Sequence, residues 1–213
     1  MSNPRRLPAC VPAAWILAAC ILVGCAGTTA PTRYYQMIPA VEMDAAVSSP
    51  IRLLGISPVG FPDYLDRPQI VTRVTETRMT MSEFDQWSEQ LELMFSEVLT
   101  ENLRRRLGGE HVVTVPNNRG LEPSIELDLN VLRFDVDSAG RITLDARWRM
   151  FDHNGRLLLT EHSLLAQEAT PGDYGAIVDG MSHAVADLSG EIAARLAEAV
   201  AEAGPGNERR RSS

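Results

Sequence analysis

Three kinds of hydrophobic pattern succeed one another along the chain. The first is a solid apolar run from Val11 to Val23, preceded by Arg5 and Arg6 and followed by Gly24-Cys25. About 13 residues rise only about 20 Å as a helix, short of the roughly 30 Å of a bilayer's hydrocarbon core, so the run predicts a secretory signal rather than a membrane span. The second pattern is alternation. Ile125, Leu127, Leu129 and Val131 alternate, then the apolar phase slips to Leu132, Phe134 and Val136. A one-residue slip turns the side chains over, which predicts a bulge or bend near Val131. After a turn at Ser138-Ala139-Gly140, Ile142, Leu144, Ala146, Trp148 and Met150 alternate with Arg141, Thr143, Asp145, Arg147 and Arg149, predicting a strand with one core face and one wet face. Asn154-Gly155 predicts a tight hairpin into a strand from Arg156 to Gln167.

The third pattern is helical. Phe84, Trp87, Leu91, Met94, Phe95 and Val98 share about a third of a helical circumference, which predicts a helix from Ser82 to Leu107. Ser82 is the expected N-cap, Glu83 and Asp85 fall in the first turn, and Gly108-Gly109 end the helix after Arg104, Arg105 and Arg106. That arginine run reads either as an anion site or as a solvated end matched to the helix dipole. A second helix is expected from Pro171-Gly172-Asp173 to about Ala203, with Met181, Val185, Leu188, Ile192 and Leu196 as its stripe. Shorter extended segments are expected at Tyr34–Ile38, Ile51–Val59 and Gln69–Met81, with a loop over Glu42–Pro50. The sum is a single α+β domain, an antiparallel or mixed sheet with two long helices packed mainly on one face. Its expected limits are 34–204, after a signal over 1–24 and a tether over 25–33, and before a disordered tail over 205–213.

Composition narrows the function. The 213 residues are 45% apolar and 23% charged, with a net charge of −8. An acidic chain lacks the clustered cations that nucleic acid requires. All twenty cations are arginine, which excludes a Schiff-base lysine and a P-loop. Cleavage before Cys25 removes Cys10 and Cys20, so the mature chain keeps one cysteine and can build neither a disulfide framework nor a cysteine metal site. It also leaves eighteen arginines against twenty-eight acids, a net of −10.

Few residues suit catalysis. His111, His153, His162 and His183 lack metal-ligand spacing, and only His162 and His183 stand to meet, if the second helix packs on the last strand. Ser182 and His183 are adjacent on a helix and point about 100° apart, so they cannot form a nucleophile–base pair with each other. Asp128, Asp135, Asp137, Asp145 and Asp152 read as solvent-face acids balancing Arg133, Arg141, Arg147 and Arg149. No enzyme activity, cofactor or metal is expected.

The segment from Phe61 to Arg73 stands out. Pro62 and Pro68 lock a turn-rich loop that carries aromatic, leucine and arginine side chains beside acids, the composition of an interaction hot spot. Asp63, Tyr64, Leu65, Asp66, Arg67, Gln69 and Arg73 are the candidate partner-binding residues. The alternative is that Tyr64 and Leu65 fold inward while Asp66 and Arg67 pair across the turn.

Leu22-Val23-Gly24-Cys25 resembles a bacterial lipobox, in which the cysteine sulfur receives a diacylglycerol. Together with Tyr34-Tyr35-x-Met37-x-Pro39 and the string Leu65-Asp66-Arg67-Pro68-Gln69-Ile70-Val71-Thr72-Arg73, it resembles the ABC-type transport auxiliary lipoproteins, the PqiC-like family. Weaker matches continue through Trp87-x-Glu89, Leu144-x-Ala146-x-Trp148 and the Met181–Leu196 helix. The resemblance implies Cys25 as the site of lipidation by acyl chains such as palmitate. Ala26, rather than Asp, implies an outer-membrane anchor facing the periplasm. It further implies a non-enzymatic subunit of an MCE-type (mammalian cell entry) intermembrane lipid transport system. There it would dock the MCE-domain protein's conduit at the outer membrane, with ring-shaped homo-oligomers open. A periplasmic lipid-binding carrier is the alternative reading.

Overall fold

The computed structural model describes residues 30–40, 53–108, 111–116 and 120–203. The signal, Cys25, the Glu42–Pro50 loop and the tail from 204 lie outside the described residues. All elements described here belong to the compact unit that begins at Thr32.

The longest strands come from the most regular alternation. β6 (Ile125–Asp137), β7 (Arg141–Asp152) and β8 (Leu157–Glu168) form an antiparallel meander. Its hairpins turn at Gly140 and Gly155, both with φ near +80°, a conformation only glycine adopts cheaply. The expected bulge is present: the β6–β7 register shifts between Val131 and Arg133.

The other edge of β6 is shared between two partners. β2 (Leu54–Ile56) runs parallel to its first turn of residues, Leu54 opposite Ile125, and β5 (Val112–Thr114) pairs beyond β2. β3 (Gln69–Thr75) runs parallel to its last residues, Thr72 opposite Val136. β4 (Arg78–Trp87) returns antiparallel on β3, and β1 (Arg33–Tyr35) closes that side in parallel with β4. The mixed eight-stranded sheet therefore forks, and the chain from β2 to β3 crosses the fork beside the β6 bulge, touching β6 through a bridge of Gly60 with Asn130.

Helices α1 (Leu91–Leu107) and α2 (Tyr174–Ala203) cover one face of the sheet. Phe95 of α1 meets Phe134 edge-on at 5.5 Å, and a Cβ added at Gly180 of α2 would stand 2.5 Å from Ile142. Phe134 and Val136 lie opposite Leu144 and Ile142, so both helices sit over the same side. Trp148, on that side, donates its indole N–H to Ser163 Oγ at 2.9 Å, and Ser163 in turn donates to Glu191 of α2. Every residue of the α2 stripe named from sequence is buried. Asp173 caps α2 by accepting the Ala176 amide.

The elements depart from the sequence expectations in several places. The helix starts at Leu91, not Ser82. Residues 82–87 are the end of β4, where Asp85, Gln86 and Trp87 pair in parallel with β1 and Gln86 also pairs with Gln69 of β3. The capping bond is still made, since Ser82 Oγ accepts the Asp85 amide at 3.0 Å. It closes a bulge instead of a helix: between the pairs Gln69–Gln86 and Val71–Met81, β4 carries extra residues against β3. Likewise Gln69–Met81 is not one extended segment but a hairpin turning at Glu76-Thr77. The strands at 34–38 and 51–59 are shorter than expected, and β5 was not foreseen.

Candidate docking surface around Asp135

Crossing the fork obliges the Phe61–Arg73 segment to serve both faces of the sheet. Phe61 goes to the helix side, edge-on to Phe95 at 5.2 Å. A single 3-10 turn over Asp63–Leu65 follows, closed by Leu65 N–H donating to Pro62 O. Leu65 is buried in the core, whereas Tyr64 reaches the outer face and donates its hydroxyl to Asp135 Oδ2 at 2.9 Å. Asp135 is the centre of the surface. Arg73 approaches it with Nη2 at 2.6 Å and Nε at 3.0 Å from Oδ2, and Arg133 Nε donates to Oδ1 at 2.8 Å. The Arg73 guanidinium also lies 5.8 Å from the Tyr64 ring centroid.

Electrostatics follow from that geometry. Burial and then the Asp135 charge push the Tyr64 hydroxyl up to about 12, so it remains a donor throughout the physiological range. Its hydrogen bond to Asp135 raises Arg73 further above its ordinary value. The expectation of Asp135 as a solvent-face acid is therefore wrong: its side chain is inaccessible, because Tyr64 and Arg73 fold over a position that alternation alone assigns to water. The only hint in sequence is Arg133-x-Asp135, a charge pair two residues apart on one face. Asp128 and Asp145 do behave as solvent-face acids, paired with Arg149 and His162.

Of the other candidate residues, Asp63 and Asp66 are exposed, while Arg67 and Gln69 are half-buried. Arg67 donates to Tyr64 O at 2.6 Å and to Met81 Sδ at 3.1 Å, so it braces the turn rather than pairing with Asp66. Tyr64 and Arg73 thus converge, Leu65 is withdrawn, and the acids Asp63 and Asp66 face solvent.

A second buried acid was missed. Asp85 of β4 accepts from Arg33, Tyr35 and Ser82 and so ties β1 to the sheet. Burial opposes its charge, but those three donors together outweigh it and hold the carboxyl below its usual range. The three arginines ending α1 are neither an anion site nor a solvated end. Arg104 donates to Val112 O, Arg105 to Glu101, and Arg106 to Ser189 Oγ and Ala186 O of α2. His162 and His183 do not meet, since Ser163 faces α2 and its neighbour His162 turns to Asp145 on the far face. Among the described residues no group of three or more potential metal ligands is found.

The model of the ABC-type transport auxiliary lipoprotein component matches residues 35–193, three quarters of the chain. The chain belongs to this family. As a transport auxiliary lipoprotein it falls outside the known enzyme families, and among the described residues no helix is long and apolar enough to cross a membrane. A search of curated proteins gave no significant match. Among solved structures, an uncharacterized protein aligns with a TM-score of 0.64 at 21% identity, over 78% of this chain and 99% of that one. Protein XCC0632 from Xanthomonas campestris, of the DUF330 family, aligns at 0.62 and 17% identity, over 82% and 96%. At such identities these likenesses speak for the fold alone.

Proposed function

We propose that this lipoprotein is the membrane-anchored docking subunit of an MCE-type intermembrane lipid transport system, held at the outer membrane through Cys25 and facing the periplasm. The family match over residues 35–193, on a chain whose leader ends in Leu22-Val23-Gly24-Cys25, carries the reading. Acyl chains contribute ~0.8 kcal/mol per buried methylene, so several of them make a durable anchor. The partner is the MCE-domain protein, and the contact surface is the turn that presents Asp63, Tyr64, Asp66 and Arg67. Support for that surface is mechanical: the turn is braced by Asp135, Arg73 and the buried Leu65, and a braced loop loses little entropy on binding. The carrier alternative is less well supported, because Phe95, Phe134, Leu144, Trp148 and Leu188 fill the space between helices and sheet.

The test is co-purification with the MCE-domain protein after crosslinking in cells. Cys25→Ala should release the chain from the membrane fraction. Asp63→Arg with Asp66→Arg leaves the brace intact and should abolish the crosslinked complex, as should Tyr64→Ala with Arg67→Ala. Wild-type recovery of the complex from both double variants would refute the docking surface.

A further inference from the structure

On the outer face, two hairpin ends lie side by side. The Ser138 amide donates to Arg73 O, and Arg73 stands opposite Asp137 in the β3–β6 register. Between the β3–β4 turn, the β6–β7 turn and the middle of β8 runs an open groove of about 520 Å³, the size of a small-ligand site. Its lining combines three chemistries. Arg141 is exposed, and among the described residues its guanidinium enters no ion pair. Arg133 commits only Nε, to Asp135, which leaves its terminal nitrogens unspent. Glu76 and Asp137 bring carboxylates to the same groove, Asp137 with Oδ1 already accepting the Ala139 and Arg141 amides, and Leu164 offers one of the largest exposed apolar surfaces of the described residues, 66% accessible.

A guanidinium pair, a carboxylate pair and an apolar wall within one groove match a molecule that carries a phosphodiester, an ammonium and a hydrocarbon segment together. A purely anionic ligand would leave Glu76 and Asp137 opposed by like charge, and a purely cationic one would do the same to the arginines. We propose that this groove binds the headgroup of a zwitterionic amphiphile of the phosphoethanolamine type. Arg141 and Arg133 take the phosphodiester, Glu76 and Asp137 take the ammonium, and the first methylenes lie over Leu164. The site is on the opposite face from the helices and shares Arg73 and Arg133 with the Asp135 brace, but Arg141 and Leu164, the residues changed in its test, take no part in that brace, so the two readings are tested apart.

The test is a titration of the full mature chain, carrying Cys25→Ser to keep it in water, with dihexanoyl phosphatidylethanolamine below its micelle concentration. Saturable binding is expected. Arg141→Ala and Leu164→Ser should each weaken it by about tenfold, the effect of one charge-assisted contact or one apolar wall. Both residues are exposed, so neither change threatens the fold. Arg147→Ala removes the same charge from the same face of β7 and should leave binding unchanged. Glycerophosphoethanolamine, which lacks the chains, and dihexanoyl phosphatidylglycerol, which lacks the ammonium, should both bind more weakly. Absence of saturable binding, equal binding by Arg141→Ala and the wild type, or equal binding of either control ligand would overturn the assignment.

Discussion

Replacing Asp135 by Asn keeps the shape of the side chain and removes the charge on which Tyr64, Arg73 and Arg133 converge. The amide can accept through one oxygen only, and its NH₂ is turned toward guanidinium donors. Removing one member of a buried ion pair costs about 3–5 kcal/mol when the orphaned charge stays buried. Here the carboxylate is fully shielded, but the arginine side chains retain 15% and 33% accessibility and can swing partly into water. The expected loss is therefore about 2–3 kcal/mol, which lowers Tm by roughly 5–10 °C in a domain of this size. Urea unfolding followed by far-UV circular dichroism reads the loss, and tyrosinate absorbance reads its local cause. In the wild type Tyr64 holds its proton to about pH 12, against 10.0 for a free phenol. A folded pKa above the unfolded one gives stability that is complete below pH 10 and is lost as pH rises towards 12. Because Tyr64 is only partly buried, solvent screening reduces this share to about 1 kcal/mol. In Asp135→Asn the phenol should titrate earlier than in the wild type yet still above 10, since burial, the larger cause, persists. An unchanged urea midpoint together with an unchanged Tyr64 titration would refute the brace.

Two further substitutions test the same structure. Asp85→Asn should cost about 1–3 kcal/mol and speed amide exchange at Arg33–Tyr35, measured by hydrogen–deuterium exchange, because it unlatches β1. The folded Asp85 pKa lies below 3.8, so its stabilisation is present above that pH and lost as pH falls through the folded value; acid titration of the variant should lack this component. Gly140→Ala should destabilise by more than about 2 kcal/mol in a thermal melt, because φ is +88° and the new Cβ would stand 2.1 Å from Ala169 O.

Legibility varied with how local the deciding interactions were. The β6–β7–β8 meander, the slip at Val131 and the α2 stripe could be read because each rests on side-chain period and adjacent turns, such as Asn154-Gly155. The stretch from Ser82 to Trp87 could not. Its Phe84 and Trp87 fit a helical stripe, Asp85 and Trp87 fit a strand face, and only pairing with β3 and β1 chose between them. The Phe61–Arg73 segment was recognisable as a special loop from its prolines and mixed chemistry. Which of its residues turn inward depended on where it crosses the fork, a matter of strand order rather than of composition.

By itself, the sequence determined an α+β domain, the two-faced character of β7, and membership of a lipoprotein family. Only the tertiary structure decided that Asp135 and Asp85 are buried. A carboxylate can leave water only where donors distant in sequence, Tyr64 and Arg73 for one and Arg33 and Tyr35 for the other, are brought over it by strand pairing. Those donors lie some fifty to seventy residues away along the chain, beyond anything a local pattern encodes.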